Sequence, residues 1–387
     1  MVAQHQAYLD NAATTALDPE VANAMSEVLT TAYGNPSSTH GYGRKAKAIL
    51  EKSRKYIGTC IGAQASEIFF TSGGTEANNW IIRSAVQDLG VELIITTRIE
   101  HHAVLYPVEY MAERYGCQVH YLEINQRGQI STNELHQVLS EHSDKSILVS
   151  LMHCNNEIGT LLDLDEVGAI CKSHDKVLFH TDTVQSVGKY DFNLKELPVD
   201  FLVASAHKFH GPKGIGFAYC RKGSGIKPYI LGGGQERGGR AGTESIHNIV
   251  GMEKALENSY AHLSEDREYI KSLKQKFCRD LEAAFDTIYF VADSNQEGHC
   301  TYTLVNVGFP EISEKVGEML MFQLDMQGIY CSKGSACQSG SQLGSHVIKE
   351  VIPEKYKTIP TIRFSFSKYT TVADLEYTVQ VLRKVIS

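Results

Sequence analysis

The chain has 387 residues, 42% hydrophobic and 21% charged, an ordinary globular balance with room for one large and one smaller domain. Its net charge of −8, with no basic cluster, argues against a nucleic-acid or anionic-membrane surface. The first fifteen residues lack the charged and apolar regions of a signal peptide, no apolar run is long enough to span a bilayer, and nine cysteines without Cys-x-x-Cys pairs fit a reducing, cytoplasmic setting better than a disulfide framework or a zinc site.

In chain order, Gly43–Ile57 reads as an amphipathic helix and Ile68–Thr71 (IFFT) as a short buried strand. Helix Thr75–Leu89, strand Leu93–Thr96 and helices Val104–Tyr115 and Thr132–His142 come next. Strand Ile147–Met152, helix Asp165–His174 and strands Val177–His180, Phe201–Ala204 and Ile215–Tyr219 follow. Near-continuous apolar strands alternating with helices predict an α/β fold with a mostly parallel sheet covered on both faces. Beyond residue 260, a long charged helix (Ser264–Phe285), strands at Thr303–Val307 and Ile362–Ser367 and a closing helix at Ala373–Ile386 predict a smaller α+β domain.

Ligands of open α/β sheets sit beyond the C-terminal ends of the strands, and those positions are polar here. Ser72-Gly73-Gly74-Thr75-Glu76 follows the first strand: either a phosphate seat at a helix N-terminus or simply a capped helix start. Asp182 follows Val177–His180, where a carboxylate needs a cation, which a pyridinium nitrogen, an arginine or a helix cap would each satisfy. Lys208 follows Phe201–Ala204 and precedes a Gly-Pro turn, a position suited to a Schiff-base lysine rather than a solubility charge. Glu100-His101-His102 follows Leu93–Thr96. Phosphate seat, carboxylate, lysine and imidazole on one sheet edge are the parts that pyridoxal 5′-phosphate requires.

Ten ordered motifs carry a resemblance along nearly the whole chain. They are YLDNAATT (Tyr8–Thr15), GNPSSTHGYG (Gly34–Gly43), TSGGTEANN (Thr71–Asn79), EHHAV (Glu100–Val104), NNEIGT (Asn155–Thr160), DTVQSVGK (Asp182–Lys189), SAHKFHGPKGIG (Ser205–Gly216), GGGQERGGRAGTES (Gly232–Ser245), GSACQSG (Gly334–Gly340) and IRFSFS (Ile362–Ser367). In them the sequence resembles the cysteine desulfurases of the NifS/IscS-like branch, class V pyridoxal-phosphate enzymes of fold type I. The resemblance implies a large domain at 16–260 with a seven-stranded-type sheet. It also implies a small domain formed by 1–15 and 261–387, which carries the catalytic cysteine loop.

The resemblance also distributes roles. Lys208 would bind the cofactor covalently, Asp182 would pair with its ring nitrogen, Gln185 would contact its ring hydroxyl and His101 would stack on the ring. Gly74, Thr75, Ser205 and His207 would hold the phosphate, and Thr243 would reach it from the other subunit of a homodimer. Asn155 and Arg363 would hold the substrate, Asn155 also touching the cofactor and Arg363 forking onto the α-carboxylate of L-cysteine. Lys208 would move the Cα proton, and Cys337 would take the sulfur as a persulfide for an acceptor protein such as an iron–sulfur scaffold. The chain departs from the family pattern at Thr183, at Gly239 and at Leu161–Asp163, none of them a position with a chemical role.

The composition around Cys337, GSACQSGSQLGSH, is nearly free of apolar residues and can neither bury nor fix a thiol. About six residues separate Cys337 from either plausible anchor. At ~3.3 Å per extended residue such a tether would sweep roughly 20 Å, enough to collect sulfur inside a pocket and surrender it outside.

Overall fold

The computed structural model describes residues 5–312, 314–333 and 345–386. Cys337 and the rest of GSACQSG lie outside the described residues. The elements run β1 (Ala7–Tyr8), α1 (Pro19–Thr31), α2 (Gly41–Cys60), β2 (Ile68–Thr71), α3 (Gly74–Gln87), β3 (Leu93–Thr96), α4 (His102–Tyr115) and β4 (Gln118–Tyr121). Then come α5 (Thr132–Glu141), β5 (Ile147–Ser150), α6 (Leu164–Lys172), β6 (Val177–Asp182), β7 (Phe201–Ser205), β8 (Gly216–Cys220), α7 (Ile246–Ala261) and α8 (Leu263–Ala284). The last are β9 (Tyr289–Phe290), β10 (Leu304–Gly308), α9 (Glu314–Met326), β11 (Ile329–Tyr330), α10 (His346–Val351), β12 (Thr361–Ser365) and α11 (Val372–Ile386).

Seven strands form the main sheet in the order β2-β8-β7-β6-β5-β3-β4. The pairings among β7, β6, β5, β3 and β4 are parallel, and β8 runs antiparallel to both its neighbours. The side-chain alternation of a strand explains why the central ones are apolar throughout. In β7, Leu202 and Ala204 enter a core shared with Leu50, Leu135 and Leu256. Phe201 and Val203 enter the opposite core, with Trp80, Val104 and Val108 of α3 and α4.

Strands Ile68–Thr71 and Leu93–Thr96 keep their predicted limits, and the other predicted elements shift at one or both ends by one to three residues. β6 runs on to Asp182, so that carboxylate ends the strand instead of following it; β5 stops at Ser150; and β8 covers Gly216–Cys220. The seventh strand, β4 (QVHY), was not apparent from the sequence because it is a partly exposed edge strand without an apolar run.

A second core gathers Ala7 and Leu9 with Phe277, Leu281, Val305, Val307, Phe364 and Leu382. It packs α8 and α11 against the antiparallel sheet β12-β10-β9, and β1 pairs in parallel with β11. The N-terminal segment thus joins the late part of the chain and then crosses to the main sheet. Thr15 N donates to His207 O, and Asn11 Nδ2 donates to Ser365 O at 2.8 Å. Among the described residues no helix is long and apolar enough to cross a membrane.

Candidate active site

A cavity of about 480 Å³ opens where the C-terminal ends of β6 and β7 meet the start of α3, the N-terminal segment and Arg363 of β12. Its floor begins at Gly73 and Gly74. Gly73 has φ +152°, open to glycine, and a Cβ on Gly74 would come within 2.6 Å of Val184 Cγ2. The missing side chains let α3 begin at the cavity wall, and no side chain caps it. Thr75, Ser205 and His207 line the same corner. Burial, reinforced by the charges of Lys208, Lys213 and Lys189, lowers the His207 pKa to about 4, so its ring is neutral, and its Nδ1 lies 3.2 Å from Thr14 Oγ1.

Asp182 is held rigidly. Its Oδ1 accepts from Val184 N at 2.9 Å and its Oδ2 from Asn78 Nδ2 at 2.7 Å, while Asn78 Oδ1 is buried without a partner. The Lys208 ammonium donates to the carbonyls of Ala12 and Ala13, both at 2.7 Å. Gln185 Nε2 donates to that same Ala12 carbonyl at 2.8 Å. His101 caps α4, its Nδ1 accepting from Ala103 N at 3.0 Å, so the neutral ring carries its hydrogen on Nε2. Burial lowers the His101 pKa; Asp182 opposes that shift, and Lys208 and His346 add to it.

Arg363, 2% exposed, reaches the cavity from the second core. Its Nη1 donates to Asn156 O at 2.7 Å and its Nη2 to Asp10 Oδ1 at 2.8 Å, and its Nε is buried without a partner. The structure thus brings Gly74, Thr75, His101, Asp182, Gln185, Ser205, His207, Lys208 and Arg363 together around one space.

It does not bring Asn155 there. The Asn155 amide donates to Ile99 O at 2.8 Å, and its Oδ1 accepts from Glu157 N and Ile158 N, which closes the NNEIGT turn. The asparagine that lines the cavity is its neighbour Asn156, together with Glu157. Thr243 is exposed and lies outside the cavity of its own chain. The sequence reading also missed Asn78, which braces Asp182, and His346, whose Nε2 sits 2.9 Å from Glu100 O at the cavity edge. A polar residue one helical turn into α3 was the available signal for Asn78; His346 offered none.

Both flanks of the undescribed segment are fastened to this site. On one side Ser332 O accepts from Arg363 N at 2.7 Å. On the other, Ser345 Oγ donates to Glu157 Oε2 at 2.5 Å, and His346 lines the cavity. Of the eight described cysteines six are buried, while Cys60 and Cys331 are partly so; burial, with Asp10 adding and Arg363 opposing, raises the Cys331 pKa.

The donor set fits pyridoxal phosphate. An uncapped helix start with hydroxyls nearby suits a dianion, a braced carboxylate suits a protonated ring nitrogen, and a lysine lines the same cavity. Residues 7–378 match the family model described as Aminotransferase class-V, a pyridoxal-phosphate-dependent family. The chain is 40% identical over 385 residues to "Cysteine desulfurase IscS" of Dictyoglomus turgidum, covering 99% of this chain and 95% of that one. It is 38% identical over 384 residues to the protein of the same name from Clostridium botulinum, covering 98% and 94%. Among solved structures, a "NIFS-LIKE PROTEIN" superposes with a TM-score of 0.89 at 35% identity, covering 98% of this chain and 99% of that one. A NifS-like protein from Rickettsia africae gives a TM-score of 0.85 at 30% identity, covering 98% and 99%. The chain belongs to the class-V aminotransferase family, in its cysteine desulfurase group.

Proposed function

We propose that the protein is a pyridoxal-phosphate-dependent cysteine desulfurase that converts L-cysteine to L-alanine and leaves the sulfur on Cys337 as a persulfide. The observation that carries this reading is the placement of the Cys337 segment's two anchors. Ser332 is bonded to Arg363 and Ser345 to Glu157, both on the wall of the cavity that holds Lys208 and Asp182.

When bound, pyridoxal phosphate supplies an electron sink conjugated to the amino acid's Cα. The chain's own residues do the rest. Gly74, Thr75, Ser205 and His207 seat the phosphate, and neutral His101 covers the ring. Asp182, kept in place by Asn78 and Val184 N, holds a proton on the ring nitrogen. The Arg363 guanidinium binds the substrate carboxylate, and Asn156 takes the position at the wall expected of Asn155. Lys208 moves the Cα proton. The Cys337 thiolate attacks the substrate sulfur. The S–S bond forms as Cβ–S breaks, and the electron pair left at Cβ is protonated to give the methyl group of L-alanine.

Residues 16–260 form the cofactor unit in this reading, and 1–15 with 261–387 the unit that bears the cysteine. Exposed Thr243 requires a homodimer to reach a neighbouring phosphate. The terminal acceptor is a sulfur-carrier or iron–sulfur scaffold protein in the cytoplasm. Cys337→Ser is the test: the variant should keep the yellow colour of bound cofactor and release neither sulfide nor alanine. Mass spectrometry of the wild type after L-cysteine should place one added sulfur on residue 337. Retained desulfuration by Cys337→Ser would falsify the reading and favour an aminotransferase or lyase of the same fold.

A further inference from the structure

Lys189, the last residue of DTVQSVGK, has no part in the scheme above. It follows Gly188, whose φ of +77° lies in the left-handed region. Its Nζ donates to Gln185 Oε1 at 3.4 Å. The nitrogen of the same amide donates to Ala12 O, which also receives Lys208 Nζ. An ammonium only donates and a carbonyl only accepts, so both ends of the Gln185 amide are assigned: oxygen toward Lys189, nitrogen toward Ala12. That nitrogen has a second hydrogen, and Gln185 lines the cavity beside Lys208 and Asp182. A lysine placed here is costly, since burial lowers its pKa to about 8, with the Cys154 thiol opposing the shift.

We propose that Lys189 is a positioning residue for the cofactor: it holds the Gln185 amide with an N–H turned to the ring hydroxyl and places a positive charge behind it. This rests on pyridoxal phosphate occupying the cavity as described above. The charged or titratable groups around Lys189 are Cys154, His207 and His210, with Lys208, Asp266, Tyr302 and Lys368 sharing a narrow cleft with it. All of them are common to wild type and variants, so a comparison isolates Lys189. A cation behind the ring hydroxyl favours loss of the bound cofactor's own proton. Removing it must therefore raise the pH at which the cofactor's visible absorption changes.

The experiment is a pH titration of the visible spectrum of purified holoenzyme. In Lys189→Met the midpoint should rise by about one pH unit, and Lys189→Arg should return it to the wild-type value. Lys189→Gln, which keeps a donor without the charge and is the substitute should the methionine variant not fold, should also raise it. In a Gln185→Leu background the effect of Lys189→Met should shrink. A merely structural lysine would lower the thermal midpoint of apo- and holoenzyme alike and leave the spectrum alone. An unmoved spectral midpoint in Lys189→Met or Lys189→Gln overturns the proposal, as does a full shift without Gln185. The titration needs bound cofactor and no turnover. Failure of the desulfurase reading therefore shows as missing sulfide in the wild type, and failure of this one as an unmoved midpoint.

Discussion

Arg54 and Glu236 are both buried, and they meet through two hydrogen bonds of 2.6 and 2.8 Å. Glu236 also accepts from Phe70 N at 2.8 Å, so one carboxylate ties α2, β2 and the GGGQER loop together. Two ions out of water are expensive, and an unpaired one is worse. Glu236→Gln should therefore cost roughly 3–5 kcal/mol, and an apolar replacement of both partners should recover most of the loss. Urea unfolding of the wild type and the two variants checks this. The departure at Gly239 has a reason nearby, because a Cβ there would come within 2.7 Å of the Phe69 ring. At this scale much of the cavity lining was legible, because a lysine and two histidines beyond buried strands and a carboxylate at the end of another converge on one sheet edge. Asn155 and Asn156 were not separable. Adjacent residues of one type differ only in which amide closes the turn, and that is decided by Glu157 N and Ile158 N, not by composition.

The elements around the cavity owe their closeness to glycine. A Cβ on Gly216 would meet Ala204 O at 2.3 Å and Gly73 Cα at 2.9 Å, both backbone atoms unable to yield. Gly216→Ala should destabilise the protein by about 1–3 kcal/mol. By displacing Gly73 it should also speed pyridoxal phosphate release, measured by the rate of colour loss on dilution. Most elements of the main sheet were readable from apolar runs of four to six residues flanked by helical periodicity. β4 was hidden by its edge position. α1, although Asp18 caps it and Pro19 opens it, and α7, which has no capping side chain, went unread before and after the strand–helix alternation.

The two ends of the sequence are joined across the whole molecule by Asp18. This carboxylate accepts from Lys368 Nζ at 2.8 Å, from Tyr369 Oη at 3.1 Å and from Glu20 N at 3.0 Å. Burial alone would raise its pKa; the Lys368, Glu20 and Tyr369 hydrogen bonds outweigh it and hold the pKa at about 2. A depressed carboxylate pKa means that the contribution to stability is present above the unfolded value of about 3.9 and is lost as pH falls toward 2. Asp18→Asn keeps a capping side chain and removes the charge. It should lower the thermal midpoint at pH 7, with the gap to wild type closing between about pH 4 and pH 2. No local periodicity announces such a contact, because hydrophobic patterning speaks of neighbours along the chain and not of partners 350 residues away.

Asp10 grips Arg363 across 353 positions, and Asn11 grips Ser365 across 354. The carbonyls that steady Lys208 belong to this same early stretch. A ribosome must therefore pass Ser365 before this wall of the cavity can close. Until then the cavity exists only as separate pieces, and whatever fills it must wait for its late-made strand.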